Sequence, residues 1–157
     1  MKRLLAALSL ALLVSLAVGA VAYAASGRDS AKGVVDEVNQ EWRFSAQSNF
    51  NGTQPSGQVR FIQENQDPNL VITGQVTCLQ VLNGSASIVA QVTDIRGGIT
   101  NAQSMVIETT DSGKFSTTPD TFGGSLPSTP ATQLCPPPSI FQRPVLKGDV
   151  VVVDATS

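Results

Sequence analysis

From Trp42 onward the chain alternates apolar and polar residues with a period of two, the spacing at which successive side chains of a β-strand reach opposite faces. In "WRFSAQS", Trp42, Phe44 and Ala46 fall on one side and Arg43, Ser45 and Gln47 on the other. "QVRFIQE" repeats the pattern with Val59 and Phe61 inward. Between such runs, "NFNGTQPSG" and "NQDPN" carry turn chemistry. "AQSMVIETT" puts Met105 and Ile107 on one face and Val106 on the other, so both faces are expected to be covered. The unbroken valines of "LKGDVVVVDATS" predict the same for a closing strand over 149–154. Residues 25–41, "ASGRDSAKGVVDEVNQE", are polar and weakly patterned; they read as a flexible lead-in with one helical turn through Val34, Val35 and Val38. No useful helical period appears beyond it. The pattern predicts an all-β fold, a single antiparallel β-barrel or barrel-like sandwich of about seven or eight strands.

One stretch breaks its own rhythm. In "LVITGQVTCLQVLNGSASIVAQVTD" the inward positions are even up to Cys78 (Leu70, Ile72, Val76, Cys78) and odd after it (Leu79, Val81). Across the Asn83-Gly84 turn they are even throughout: Ala86, Ile88, Ala90 and Val92. A two-residue type I′ turn sets Val81 against Ala86 and Leu79 against Ile88. Continued unbroken, that register drives Thr77 and Gln75 into the core. One extra residue near Thr77-Cys78 corrects it, pairing Val76 with Ala90 and Gly74 with Val92. This is a β-bulge, which bends and twists the strand that carries it.

From Pro119 to Pro144 the chain holds seven of its nine prolines, and proline cannot donate to a ladder. This Pro-rich loop, 119–144, is excluded from central sheet, and Phe122 and Phe141 are expected to pack it onto the barrel. At the other end, Lys2-Arg3, an apolar run from Leu4 to Val21, and Ala22-Tyr23-Ala24 read as a secretory signal peptide over 1–24, expected to be cleaved after Ala24; an uncleaved membrane anchor is the alternative, since the run is near the lower limit for spanning a bilayer. The expected organisation is therefore signal peptide 1–24, lead-in 25–41, and one β domain over 42–157. Localisation is expected to be secreted, extracellular. No cysteine near the cleavage site offers a lipid attachment point. Export also places Cys78 and Cys135 where disulfides persist, and an even count predicts pairing; two buried free thiols are the alternative.

Charge and composition then exclude more than they propose. Lys2 and Arg3 leave with the signal, so eight basic residues face twelve acidic ones and the mature net charge is −4. Nucleic-acid binding and attraction to anionic membranes both need a basic surface, so neither is expected, nor is stable membrane association after cleavage. The chain has no histidine, which removes Ser-His-Asp triads, Cys-His pairs and His-based metal sites. Glu108, Asp111 and Asp120 are close in sequence and could act as a carboxylate pair on a glycan. The plainer reading has Asp111 opening a turn and Glu108 solvating a strand. Trp42, Phe44, Phe61 and Ile88 are candidate lining for an internal cavity, or simply core. No cofactor and no metal are expected.

The central stretch "GQVTCLQVLNGSASIVAQVT" resembles the G-x-V-T-C-L-x-V-x-G-N-x-A core of a family of small uncharacterised bacterial secreted proteins. Around it stand a G-x-V-x-F strand (Gly57-Gln58-Val59-Arg60-Phe61), Val106 to Gly113 followed by Asp120, a late Cys135, and a closing run from Gly148 to Ala155. The Asn83-Gly84 order is reversed from that family's usual Gly-Asn. The resemblance implies a signal peptide and an all-β module, with no established activity. Together these readings point away from an enzyme, toward a secreted, non-catalytic binding or interaction module whose partner, a small apolar ligand or an extracellular protein, is not named by the sequence. The alternatives are a lipocalin-like carrier of a small apolar ligand and a carboxylate-dependent glycan hydrolase.

Overall fold

A computed structural model describes residues 27–49, 52–137 and 142–155. The expected signal segment, Asn51 and Phe141 lie outside the described residues. Nine strands form: β1 (Arg28–Glu37), β2 (Gln40–Asn49), β3 (Ser56–Gln63), β4 (Leu70–Leu82), β5 (Ser85–Arg96), β6 (Ser104–Thr110), β7 (Thr121–Ser125), β8 (Arg143–Pro144) and β9 (Gly148–Val153). All pair antiparallel in one sheet, ordered β8-β7-β6-β5-β4-β3-β2-β1-β9, and the described residues contain no helix. The expected all-β class holds, with slightly more strands than the sequence suggested.

Part of the excess comes from the expected lead-in, which is corrected: most of 25–41 is β1, paired along its whole length with β2. Its inward positions are Asp29, Ala31, Gly33 and Val35, and the small residues there make room for a neighbour's ring. A Cβ on Gly33 would lie 2.6 Å from Phe44 Cζ. Val34, Val35 and Val38 form no helical turn; Val34 and Val38 are exposed, while Val35 is buried.

β8 and β9 are the sheet's two edges, yet only residues 145–147 separate them in sequence. Such a link reaches about 14 Å at most, so the sheet must curl until its edges approach. The result is a curled half-barrel. At the link, the Val145 N–H donates to the Asp120 carbonyl (2.8 Å), and the Lys147 carbonyl accepts from the Asp36 N–H (2.9 Å). Between those two bonds the link leaves Leu146, which is 93% exposed.

The hairpin of β4 and β5 turns through Asn83 (φ 50°) and Gly84 (φ 74°), the two positive φ values that a type I′ turn needs. Val76 pairs with Ala90 and the next paired residue, Cys78, with Val89, so Thr77 is the extra residue of the bulge. A second irregularity, not read in the sequence, falls between Thr73 and Gly74, where Thr93 of β5 is extra. Each surplus threonine donates its hydroxyl across the hairpin: Thr77 to the Val89 carbonyl (3.3 Å) and Thr93 to the Thr73 carbonyl (3.2 Å). The position of Cys78 needs correction as well. The bulge precedes it, so Cys78 belongs with Val89 on the outer face, not with the inward set.

Inside the curl, Trp42, Phe44, Val59, Phe61, Ile72, Leu79, Ile88, Met105, Ile107 and Phe122 form one buried cluster. The closing strand differs from expectation: Val150 is buried, but Val153 is 48% exposed, so the outer face of β9 is not covered at its end. β9 lies at an edge, which leaves its outward valines only part of the shelter that a central strand receives.

Candidate functional site

Three regions collect the residues that sequence reasoning singled out, and the interior comes first. Trp42, Phe44, Phe61 and Ile88 are between 0% and 5% exposed. Trp42 lies 4.7 Å from Phe61 and 5.7 Å from Phe122 between ring centroids, and Phe44 stacks at 6.2 Å from Phe122. These tilted and stacked arrangements are the favourable geometries for aromatic pairs. The space beside Trp42 is taken up to the backbone, since a Cβ on Gly124 would stand 2.7 Å from the indole. The clefts described below are lined by other residues. These four side chains thus fill the core, which corrects their reading as cavity lining.

The second region is the outer face of β4, β5 and β6. Here the Pro-rich stretch 126–137 crosses the sheet as a strap. Cys78 and Cys135 are disulfide-bonded, with Cα atoms 5.6 Å apart and a sequence separation of 57. Side chains of the sheet hold the remainder of the strap: Ser104 donates to the Thr129 carbonyl (2.8 Å), Gln91 accepts from the Ala131 N–H (3.0 Å), and the single Thr77 hydroxyl proton is shared between the Val89 carbonyl and the Thr132 carbonyl (3.1 Å). The Pro127 carbonyl accepts from the Gln103 and Ser104 amides. The bulge now has a structural purpose. By adding a residue to β4 it presents two successive residues, Thr77 and Cys78, to the strap. Beneath the strap Val89 is 3% exposed, and with Val106 it lines a cleft of about 270 Å³ against Pro127, Pro130 and Pro136. Covering Val106 from this side meets the expectation that β6 is sheltered on both faces. Leu134, by contrast, is 81% exposed.

The seam between the sheet's edges is the third region, and Val145 divides it into two clefts. One, of about 460 Å³, has Phe122 and Val35 in its floor and Val38, Pro144 and Leu146 at its rim. Arg143 and Glu37 of its lining form an ion pair (3.1 Å), and its Asp36 pairs with Lys147 (2.6 Å). The hydrogen bond to Asp36, and then its charge, raise the Lys147 pKa above the ordinary lysine value. The other cleft, of about 630 Å³, lies between β9 and the loop joining β6 to β7. Asp111, Lys114 and Asp120 line it from the loop and Asp149 from β9.

That second cleft answers the question of the carboxylates. Asp111 and Asp120 are brought to one cleft, and Glu108 is not among its lining. Asp111 accepts from the Gly113 N–H through Oδ1 (2.7 Å), as expected of a turn-opening aspartate. Its Oδ2 accepts from the Val152 N–H of β9 (3.0 Å), and Asp120 Oδ1 accepts from the Ser112 N–H (3.0 Å). Both carboxylates therefore tie loops and the edge strand together. Among the described residues no group of three His, Cys, Asp or Glu side chains is placed to hold a metal ion. The residues that sequence reasoning missed are those of the seam: Asp36, Glu37, Val38, Arg143, Leu146 and Asp149. A usable signal existed in Leu146, a large aliphatic residue inside a short link between two strands.

Compared with known proteins, the chain matches no family model, no curated protein and no solved structure at a significant level.

Proposed function

We propose that this protein is a secreted, non-catalytic interaction module whose contact surface is the strap across β4, β5 and β6. One observation carries the reading. A covalent staple and five hydrogen bonds fix an irregular, proline-containing segment onto a sheet whose interior is filled. Rigid loops on a packed scaffold bind at low ordering cost, because the entropy of the loop is lost on folding and not on binding. Exposed Pro130, Leu134 and Pro137 give the strap apolar contact points, with Gln133 and Thr132 as polar neighbours. A carrier of small apolar ligands is less well supported, since Trp42, Phe44, Phe61 and Ile88 occupy the space that a ligand would need. A hydrolase is less well supported because Asp111 and Asp120 are engaged by backbone amides.

Native mass spectrometry of protein purified from culture medium, combined with a photo-crosslinking residue at position 134, tests the reading. The expected species is residues 25–157, lighter by two hydrogens and without an adduct. The crosslinker at 134 is expected to capture one dominant extracellular protein, and one at position 60, exposed on β3 outside the strap, none. A co-purifying small apolar ligand would favour the carrier instead. Glycan turnover lost in D111N and D120N would favour the hydrolase.

A further inference from the structure

The seam carries a second surface, independent of the strap. β9 pairs with β1 alone; no other strand of the described residues is hydrogen-bonded along its far edge, although β6 comes near it. Two bonds fix which of its backbone groups point there. Asp36 donates to the Lys147 carbonyl, so this pair is bonded and, by the antiparallel alternation, Val34–Asp149 and Lys32–Val151 are bonded too. Val152 donates to Asp111 instead of to its partner Ala31, which requires the same alternation. The N–H and C=O groups of Gly148 and Val150 therefore point outward, into the 630 Å³ cleft that these residues line. Among the described residues, the Val152 N–H, at the strand's end, is taken by the Asp111 carboxylate.

We infer that this edge receives an extended segment of another polypeptide, rich in lysine or arginine, as an added strand beside β9. An unpaired edge is a template for main-chain pairing, and alternate side chains of the guest supply specificity. The cleft's charge selects the guest: Asp111, Asp120 and Asp149 outnumber Lys114 three to one. It also disfavours a second copy of this chain. Two such edges would bring Asp149 and Asp111 against their own images on molecules that each carry the −4 charge of the mature chain. The cleft's length along Gly148–Val151 suits a guest of about four to six residues at ~3.3 Å per residue.

A fluorescein-labelled Lys-Val-Lys-Val-Lys-Val peptide, titrated with the full secreted protein at low salt, tests this by anisotropy. We expect it to bind at least roughly tenfold more tightly than Glu-Val-Glu-Val-Glu-Val, because like charges across an interface suppress wrong partners. The same basic peptide N-methylated at alternate residues is expected to lose binding. D149K is expected to weaken it about fivefold or more, with Asp149→Asn as a milder variant, since this side chain is exposed on the edge strand. Hydrogen exchange at the Val150 amide should slow only when the basic peptide is present. Leu134→Asp, in the strap, should leave peptide binding unchanged, which separates this surface from the one proposed above. Equal binding of the acidic peptide, retained binding after N-methylation, or no binding at millimolar peptide overturns the inference. A concentration-dependent dimer in sedimentation that protects Val150 overturns it in favour of a second copy.

Discussion

Replacing both cysteines, Cys78→Ser with Cys135→Ser, isolates what the staple contributes. The bridge closes a loop whose ends are 57 residues apart in sequence. Constraining the unfolded chain over that span corresponds to about 4 kcal/mol in the loop-entropy model. Native contacts change less, because five hydrogen bonds hold the strap from Pro127 to Thr132, before Cys135 is reached. The loss should therefore appear as a lower unfolding midpoint with the fold intact. Trp42, the chain's only tryptophan and 2% exposed in the core, reports unfolding directly. With a urea slope of about 2 kcal/mol/M, the midpoint should fall by roughly 2 M. Hydrogen exchange adds a positional readout: the Ala131 amide, bonded to Gln91, stays protected, while Gln133 and Leu134 exchange quickly. A midpoint shift under about 0.5 M, or loss of protection at Ala131 together with Leu134, would refute the reasoning. The first would mean that the bridge does not restrain the unfolded state, the second that the disulfide alone holds the strap down.

Three further outcomes follow from particular contacts. Deleting Thr77 should leave the pairing of Val76 with Ala90 and of Cys78 with Val89 intact. The expected cost is about 1–2 kcal/mol for the lost hydroxyl bonds, with the disulfide still formed by thiol titration; a chain that no longer folds by circular dichroism contradicts the bulge assignment. Gly124→Ala puts a methyl 2.7 Å from the Trp42 ring, so the indole must shift at a cost of about 1–3 kcal/mol, and unchanged Trp42 fluorescence and stability would show slack in the core. Asp36 raises the Lys147 pKa, and a raised basic group contributes stability that is complete below its unfolded value and lost as pH rises through the folded one. The ammonium should therefore titrate later by NMR than the same lysine in Asp36→Asn, and identical curves would dismiss the pair.

Much of this molecule is written locally. Period-two alternation placed Trp42, Phe44, Val59 and Phe61 on the inner face because a strand's pleat leaves no other choice. The Asn83-Gly84 turn fixed the hairpin register, and counting from it requires one surplus residue near Thr77-Cys78, which the structure places at Thr77. An even pair of cysteines announced the bridge, and Asp111 announced its turn. The strand β1 escaped because its inward residues are small and polar. Their burial depends on Phe44 of the next strand reaching over Gly33, which no window of residues 25–41 contains. Cys78 was assigned to the wrong face because alternation gives parity but not which side of a bulge a residue joins. That was decided by the strap arriving on the outside. The seam was hidden most completely. That β9 pairs with β1 and not with β8 beside it in sequence is a property of how far the whole sheet curls, the accumulated twist of every strand between them. Local pattern fixes which face of each strand is dry. Only the closed geometry decides which edges meet, and therefore where the clefts lie.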